Sequence, residues 1–347
     1  MIKEIDWSDF QSLRSTIPTV DVRSPLEFAT GHVPDATNIP LLNDEERIAV
    51  GTDYKQKGQT EAIRTGLRLV GPRLNEIVDA AGKVAKNNEM IVHCWRGGMR
   101  STNFSQFVGM VGINTFVVKG GYKAYRQKAH EFFKRPYKII LLSGCTGSGK
   151  SEMLRTLKQQ GEQVVDLEGM ANHKGSAFGG LMMPPQPTTE QFENDLFEEL
   201  LKFDIFKPVW VEDESIAIGK IFLPNDFWTA MRQSPVVMLD VVKEVRVQRL
   251  VDEYGGADRE QFLESMKRIT KKLGGQHFKA AQEKLDQNEM NDVMEILLTY
   301  YDKAYLGSLE KRKPTILGHT EWNGKSPAIA AKRLIEISKQ KAIANGN

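Results

Sequence analysis

Lys138-Ile139-Ile140-Leu141-Leu142-Ser143-Gly144-Cys145-Thr146-Gly147-Ser148-Gly149-Lys150-Ser151 is an apolar run that breaks into glycines and then into an amphipathic stretch. Residues 144–151 match Gly-x4-Gly-Lys-Ser, the phosphate-binding loop that joins a buried strand to a helix N-terminus. Its glycines let backbone N–H groups wrap a diphosphate, Lys150 neutralises the outer phosphate, and the Ser151 hydroxyl is a candidate Mg²⁺ ligand. Gly144, Thr146, Gly147, Ser148, Gly149, Lys150 and Ser151 are therefore expected to bind a diphosphate. Cys145 occupies a variable position of the loop and reads as a small spacer. A strand of this kind belongs to a parallel sheet flanked by helices, so the fold class is α/β.

Working outward, short β-branched runs alternate with amphipathic stretches, and this pattern starts twice. Residues 1–135 are expected to form one parallel-sheet domain, with strands near Pro18 to Val22, Met90 to Val92 and Thr115 to Val118 and a helix near Ser101 to Val111. Residues 136–243 form the phosphate-loop α/β domain, with strands near Lys138 to Leu142, Gln163 to Asp166, Pro208 to Val211 and Pro235 to Val241. Met183-Pro184-Pro185-Gln186-Pro187 interrupts it as a loop. Residues 244–347 read as a mostly helical extension, with a short strand near Pro314 to Leu317 and a basic helix from about Pro327 to Ala342.

Composition narrows the function classes. In 347 residues, Lys plus Arg against Asp plus Glu is 47 − 45 = +2, so no global field draws the chain to nucleic acid or membrane. No stretch approaches the ~18 apolar residues of a membrane span, and the expectation is a cytoplasmic monomer. Two cysteines exclude a disulfide framework and a four-cysteine zinc site.

Cys94 ends an apolar strand in Met90-Ile91-Val92-His93-Cys94-Trp95-Arg96-Gly97-Gly98-Met99-Arg100-Ser101. A strand turning through Gly97-Gly98 into a helix aims backbone N–H groups at one spot, and Arg100 adds a planar cationic fork. That field favours a thiolate, so Cys94 is expected to be a nucleophile near neutral pH. A lone cysteine is more commonly inert core filler, but two arginines and a Gly-Gly turn have no purpose around an inert thiol. Cys94, Arg96 and Arg100 are the catalytic candidates. Trp95, Gly97, Gly98, Met99 and Ser101 form the anion-binding loop around them.

Two further clusters lie in the phosphate-loop domain. Glu212-Asp213-Glu214 follows an apolar strand, where a carboxylate for metal or base work belongs; the residues leave Glu212 and Asp213 as equal candidates, and no metal is firmly assigned. Asp166 to Gly179 carries Gly, His, Lys and Ser without apolar period, which suits a functional loop and a plain surface loop equally. No adenine- or guanine-specifying motif is present.

The first domain resembles rhodanese domains. Asp21-Val22-Arg23-Ser24-Pro25-Leu26-Glu27-Phe28, Gly31-His32-Val33-Pro34-Asp35-Ala36, Asn38-Ile39-Pro40 and Val118-Lys119-Gly120-Gly121-Tyr122 carry that likeness over about 135 residues. Five residues, not four, separate Cys94 from Arg100, which is the spacing of rhodanese-related phosphatases and suits a tetrahedral phosphorus centre. Together with Gly51-Thr52-x-Tyr54-Lys55-Gln56, the phosphate loop, Asp166-Leu167-Glu168-Gly169 and Glu212-Asp213-Glu214-Ser215, the chain resembles the bacterial tRNA 2-selenouridine synthases.

That resemblance implies replacement of sulfur by selenium in wobble 2-thiouridine of tRNA. It implies selenophosphate as selenium donor and geranyl diphosphate as co-substrate for an S-geranyl intermediate, with no tightly bound cofactor and Mg²⁺ as an optional helper. It also implies an S-selanyl intermediate on Cys94 and a functional role for Gly66, otherwise an ordinary helix glycine. Lys119, Lys123, Arg126, Lys128, Lys134, Arg135 and Lys138 form a basic cluster for tRNA phosphates, as do Arg268, Lys271, Lys272 and Lys279, and Lys311-Arg312-Lys313. Trp95, Phe178, Trp228 and Tyr305 are candidates to stack a base or line a prenyl groove. Rival readings are a tRNA sulfurtransferase, a phosphatase built on Cys94 and Arg100, and a P-loop kinase with a regulatory rhodanese module.

Overall fold

The computed structural model describes residues 1–344, leaving aside the side chains of Ser308, Lys311, Arg312 and 341–344. Two members of the third basic cluster, Lys311 and Arg312, thus lie outside the described side chains. The chain divides into two compact units, Met1–Phe132 and Phe133–Asn347.

The first unit runs β1 (Ile2–Ile5), α1 (Trp7–Leu13), β2 (Thr19–Asp21), α2 (Pro25–Thr30), β3 (Thr37–Asn38), α3 (Asp44–Lys57), α4 (Gln59–Val70), α5 (Leu74–Val84), β4 (Glu89–His93), α6 (Met99–Gly109), β5 (Asn114–Val118) and α7 (Gly121–Phe133). Its five parallel strands lie in the order β1-β5-β4-β2-β3. Met90, Ile91 and Val92 are fully buried at the centre, which is why β4 reads as an uninterrupted apolar run. β1 and the helix α3 carry weaker signals. β1 is an edge strand in which only Ile5 is buried, and α3 buries no residue at all, so neither imposes a clear apolar period.

The second unit runs β6 (Lys138–Ser143), α8 (Lys150–Gln159), β7 (Gln163–Val165), α9 (Leu167–Met170), α10 (Thr189–Leu200), β8 (Pro208–Glu212), a hairpin of β9 (Ala217–Ile218) and β10 (Ile221–Phe222), α11 (Asn225–Gln233), β11 (Val236–Asp240), α12 (Lys243–Tyr254), α13 (Arg259–Leu273), α14 (Gly275–Asp286), α15 (Met290–Arg312), β12 (Ile316–Glu321) and α16 (Pro327–Ala344). Its parallel sheet has the order β12-β11-β6-β8-β7. The chain leaves β6 toward β8 and β7 on one side and returns to β11 and β12 on the other. The carboxyl end of β6 is therefore a topological switch point, where α/β sheets open a crevice for ligands.

Several apolar clusters serve this unit. Trp210, Leu142, Leu154, Leu157 and Leu334 pack between sheet and helices. Phe262, Met266, Leu297 and Leu298 knit α12 to α15 into a separate helical layer, and Phe178 is buried there too. Phe178 is thus core and is removed from the stacking candidates. α15 runs on through Gly307, a glycine tolerated inside the helix, to Arg312. Among the described residues no helix is long and apolar enough to cross a membrane.

Candidate functional site

In the first unit, Cys94 leaves the end of β4 and is buried. Its loop is closed from behind by the Gly120-Gly121 turn: the amides of Tyr122 and Lys123 donate to the carbonyls of Cys94 and Trp95 at 2.9 and 2.8 Å. The fit excludes side chains. A Cβ on Gly97 (φ +63°) would stand 2.3 Å from the Val118 carbonyl oxygen, and one on Gly121 (φ +55°) would stand 2.3 Å from that of Cys94.

The Cys94 Sγ lies 3.4 Å from the Ser101 Oγ and 4.0 Å from the Gly98 carbonyl oxygen. Burial pushes the thiol up. Hydrogen bonds from the Ser101 hydroxyl and amide and the Arg96 amide, with the Arg100 charge, outweigh that and leave it below the ordinary thiol value. Ser101, in the first turn of α6, is thereby placed against the Cys94 thiol. Trp95 is part-exposed, with its ring 5.8 Å from that of Tyr122, and Met99 opens α6 with its sulfur accepting from Gln59 Nε2.

Arg100 has a partner that sequence reading overlooked. Its guanidinium donates to both carboxylate oxygens of Glu27, at 2.5 and 3.2 Å. Beneath the loop, Arg23 is fully buried on Asp21, donates to the Gly31 carbonyl at 2.6 Å and stacks 3.8 Å from the Tyr122 ring centre. These residues belong to the quoted Asp21 to Phe28 segment, whose part in holding the loop only the folded contacts disclose. Gly66 lies in mid-α4, where an added Cβ would meet Val50 at 3.9 Å, an ordinary contact in the α3–α4 seam.

In the second unit, the phosphate loop caps α8 at Gly149. Lys150 Nζ donates to the Gly144 carbonyl at 3.3 Å, bridging the two ends of the loop. A cavity of about 720 Å³ opens here, walled by the loop and by Asp166, Glu168, Asp213, Glu214, Arg249 and Tyr305. Arg246 braces the loop by donating to the Thr146 carbonyl at 3.2 Å while paired to both oxygens of Asp302.

The acidic residues sort by strand geometry. Glu212, the last residue of β8, turns inward: it is 1% exposed, accepts the Glu168 amide at 2.6 Å and does not line the cavity. Of the two candidates from sequence, Asp213 is the one that faces the loop, accepting from Ser143 Oγ at 2.6 Å. Two acids join it that were not singled out. Glu168 accepts from Ser151 Oγ at 3.0 Å, and Glu214 lies beside it, both carboxylates reaching to within 2.8 Å of a Cβ built on Gly175. Burial and the Glu168 charge push the Glu214 carboxyl up to about 8. The 166–179 segment thus walls the cavity through Asp166, Glu168, Gly169 and Lys174 to Ser176.

The basic clusters distribute over the fold. Lys123, Arg126 and Lys128 share α7, whereas Lys134, Arg135 and Lys138 belong to the second unit. Arg268, Lys271 and Lys272 share α13, and Lys279 lies on α14 beside Glu283. Trp228 lies on α11 with Arg232 over its ring at 5.7 Å.

With this geometry in view, the comparisons with known proteins fall on both units. A family model described as the tRNA 2-selenouridine synthase AAA domain matches residues 137–331, and a rhodanese-like domain model matches residues 7–128. A tRNA 2-selenouridine synthase of Bdellovibrio bacteriovorus is 37% identical, covering 91% of this chain and 95% of that protein. One from Nitrosomonas europaea is 33% identical, covering 85% and 90%. A third, from Shewanella oneidensis, is 36% identical, covering 86% and 88%.

Proposed function

The chain belongs to the tRNA 2-selenouridine synthase family, and from that membership we propose that it exchanges sulfur for selenium in wobble 2-thiouridine of tRNA. The observation that carries the reading is the pairing of two anion loops in one chain, one holding a thiol of lowered pKa and the other a diphosphate cradle.

Thiocarbonyl sulfur leaves carbon poorly until it is alkylated. In the first half-reaction the sulfur attacks C1 of geranyl diphosphate; a C–S bond forms and the C–O bond breaks with its electrons going to diphosphate. The phosphate-loop amides and Lys150 stabilise that developing charge. Among the described residues no three His, Cys, Asp or Glu side chains form a metal cage. The oxygen donors at the loop nevertheless suit a hard cation: Ser151 and Glu168 would hold Mg²⁺ together with the ligand's own phosphates, and it would supply further neutralisation there.

In the second half-reaction selenophosphate is the donor. Its selenium attacks C2 of the base, a C–Se bond forms, and the geranyl thiolate leaves. The remaining Se–P bond is broken by the Cys94 thiolate attacking phosphorus, which leaves selenium its electron pair; water then releases phosphate from the thiol. The S-selanyl form implied by family resemblance would instead expel phosphite, which reduces phosphorus and leaves selenium oxidised. Attack at phosphorus balances without an added redox partner and suits the wide loop between Cys94 and Arg100.

The deciding experiment is mass spectrometry of nucleosides from 2-thiouridine tRNA incubated with the chain, geranyl diphosphate and selenophosphate. Cys94→Ala is expected to geranylate the base and to stall at its Se-phosphorylated form without releasing 2-selenouridine, and Lys150→Ala to slow geranylation. Full selenouridine formation by Cys94→Ala would remove the thiol from the mechanism. Addition of sulfur to unmodified uridine would favour a sulfurtransferase.

A further inference from the structure

A second cavity, about 1010 Å³, opens on the opposite side of the β6 switch point. Its floor is the carboxyl end of β11, its walls are the last turns of α15, the start of α16 and β12, and it shares Gly144 and Tyr305 with the diphosphate cavity. Val242, Leu306, Ile316 and Ile329 line it and are 60%, 54%, 39% and 57% exposed. Scattered apolar side chains on a surface are ordinary, but four large ones converging in one concavity mark a binding surface for an apolar ligand.

Continuity with the phosphate loop identifies the ligand's other end. A molecule that fills both cavities carries a diphosphate head and an apolar tail. We propose that this cavity holds the hydrocarbon chain of the isoprenoid diphosphate whose head group lies on the phosphate loop. This assignment rests on the geranyl-transfer reading above and gives that substrate its specificity site. Tyr305 stands at the passage between the cavities, its hydroxyl 2.8 Å from Ser143 Oγ, where the allylic carbon joins head to tail. Cys145 faces the apolar side, and burial raises its thiol, so it meets the chain as a neutral, small group. Of the polar residues in the wall, His319 and Asp240 are paired with each other at 2.8 Å.

The test uses the full chain, an anticodon stem-loop carrying 2-thiouridine, and the replacements Leu306→Glu and Ile329→Trp, both at exposed positions off the core. KM for geranyl diphosphate is expected to rise about tenfold in each, the loss expected from displacing roughly two methylenes. Inhibition by inorganic diphosphate should stay unchanged, and inhibition by the shorter dimethylallyl diphosphate should weaken less than that by geranyl diphosphate analogues. An unchanged geranyl diphosphate KM in both variants overturns the assignment, as does an equal weakening of inorganic diphosphate, which would place the effect at the loop. Absence of geranyl transfer by the unaltered chain overturns the functional reading, and the cavity's occupant with it.

Discussion

Glu27 and Arg100, 73 residues apart, are joined by two hydrogen bonds of 2.5 and 3.2 Å. The same carboxylate accepts the Ser24 amide at 3.1 Å and so caps α2, which couples the Cys94 loop to the segment Asp21 to Phe28. Burial would raise the Glu27 carboxyl, but Arg100, the Ser24 amide and Arg47 hold it below its ordinary value. Its contribution is therefore present above the usual carboxylate range and fades only as pH falls through the lowered value. Glu27→Gln removes one charge of the pair. A charge-assisted bond contributes ~1.5–3 kcal/mol, so KM for selenophosphate is expected to rise about tenfold while geranyl transfer is unaffected. Steady-state kinetics of both half-reactions check this.

The lowered thiol makes a second expectation. Thiolate appears as pH rises through the folded pKa, so Cys94 should react with iodoacetamide at pH values where a free thiol, ionising near ~8.5, is still protonated. Ser101→Ala removes the hydroxyl 3.4 Å from Sγ and should move the midpoint of that pH profile upward. Mass-resolved alkylation at Cys94 across a pH series measures it. A midpoint that does not move would take Ser101 out of the argument.

The turn glycines are steric requirements. Gly121→Ala forces a Cβ to 2.3 Å from the Cys94 carbonyl oxygen at a φ of +55°. The left-handed backbone alone costs about 1–2 kcal/mol, and the clash displaces the loop. Selenium transfer should fall steeply while phosphate-loop chemistry persists. Gly66→Ala, with its nearest neighbour at 3.9 Å, should by contrast fold normally.

Asp21 and Arg23 form a buried pair with side chains 0% and 1% exposed. Asp21→Asn leaves the guanidinium buried without its counter-charge, and the expected loss is about 3–5 kcal/mol. Denaturant unfolding followed by a probe in the first unit reads that loss.

Glu214 sets a pH dependence of opposite sign. Its carboxyl, raised to about 8 by burial and Glu168, stays protonated in the fold while the unfolded chain releases the proton near the ordinary value of 4.5. Its contribution to stability is fully present below that ordinary value and is lost as pH rises toward 8. Glu214→Gln should therefore raise the melting temperature more at pH 9 than at pH 5.

Much of the architecture was legible along the chain because burial on both faces of a parallel strand leaves an uninterrupted apolar run. β4, β6, β8 and β11 announce themselves in this way, and the glycine loops that follow β4 and β6 announce what those strands present. β1 escaped because an edge strand with one buried residue has no such run. Glu212 and Asp213 were indistinguishable as neighbours in a list; the strand's alternation turned one into the core and the other toward the loop.

Local backbone chemistry encodes, within a dozen residues, two parallel-sheet units, a glycine-rich loop where a central strand of each passes into a helix, and a cysteine in each loop. Tertiary structure alone decided that Glu27 holds Arg100, that Glu168 and Glu214 face Ser151 and the phosphate loop, and that α15, β12 and α16 return to build an apolar cavity beside it. Such contacts join residues tens to well over a hundred positions apart, and they exist only once the sheet order has brought those segments together.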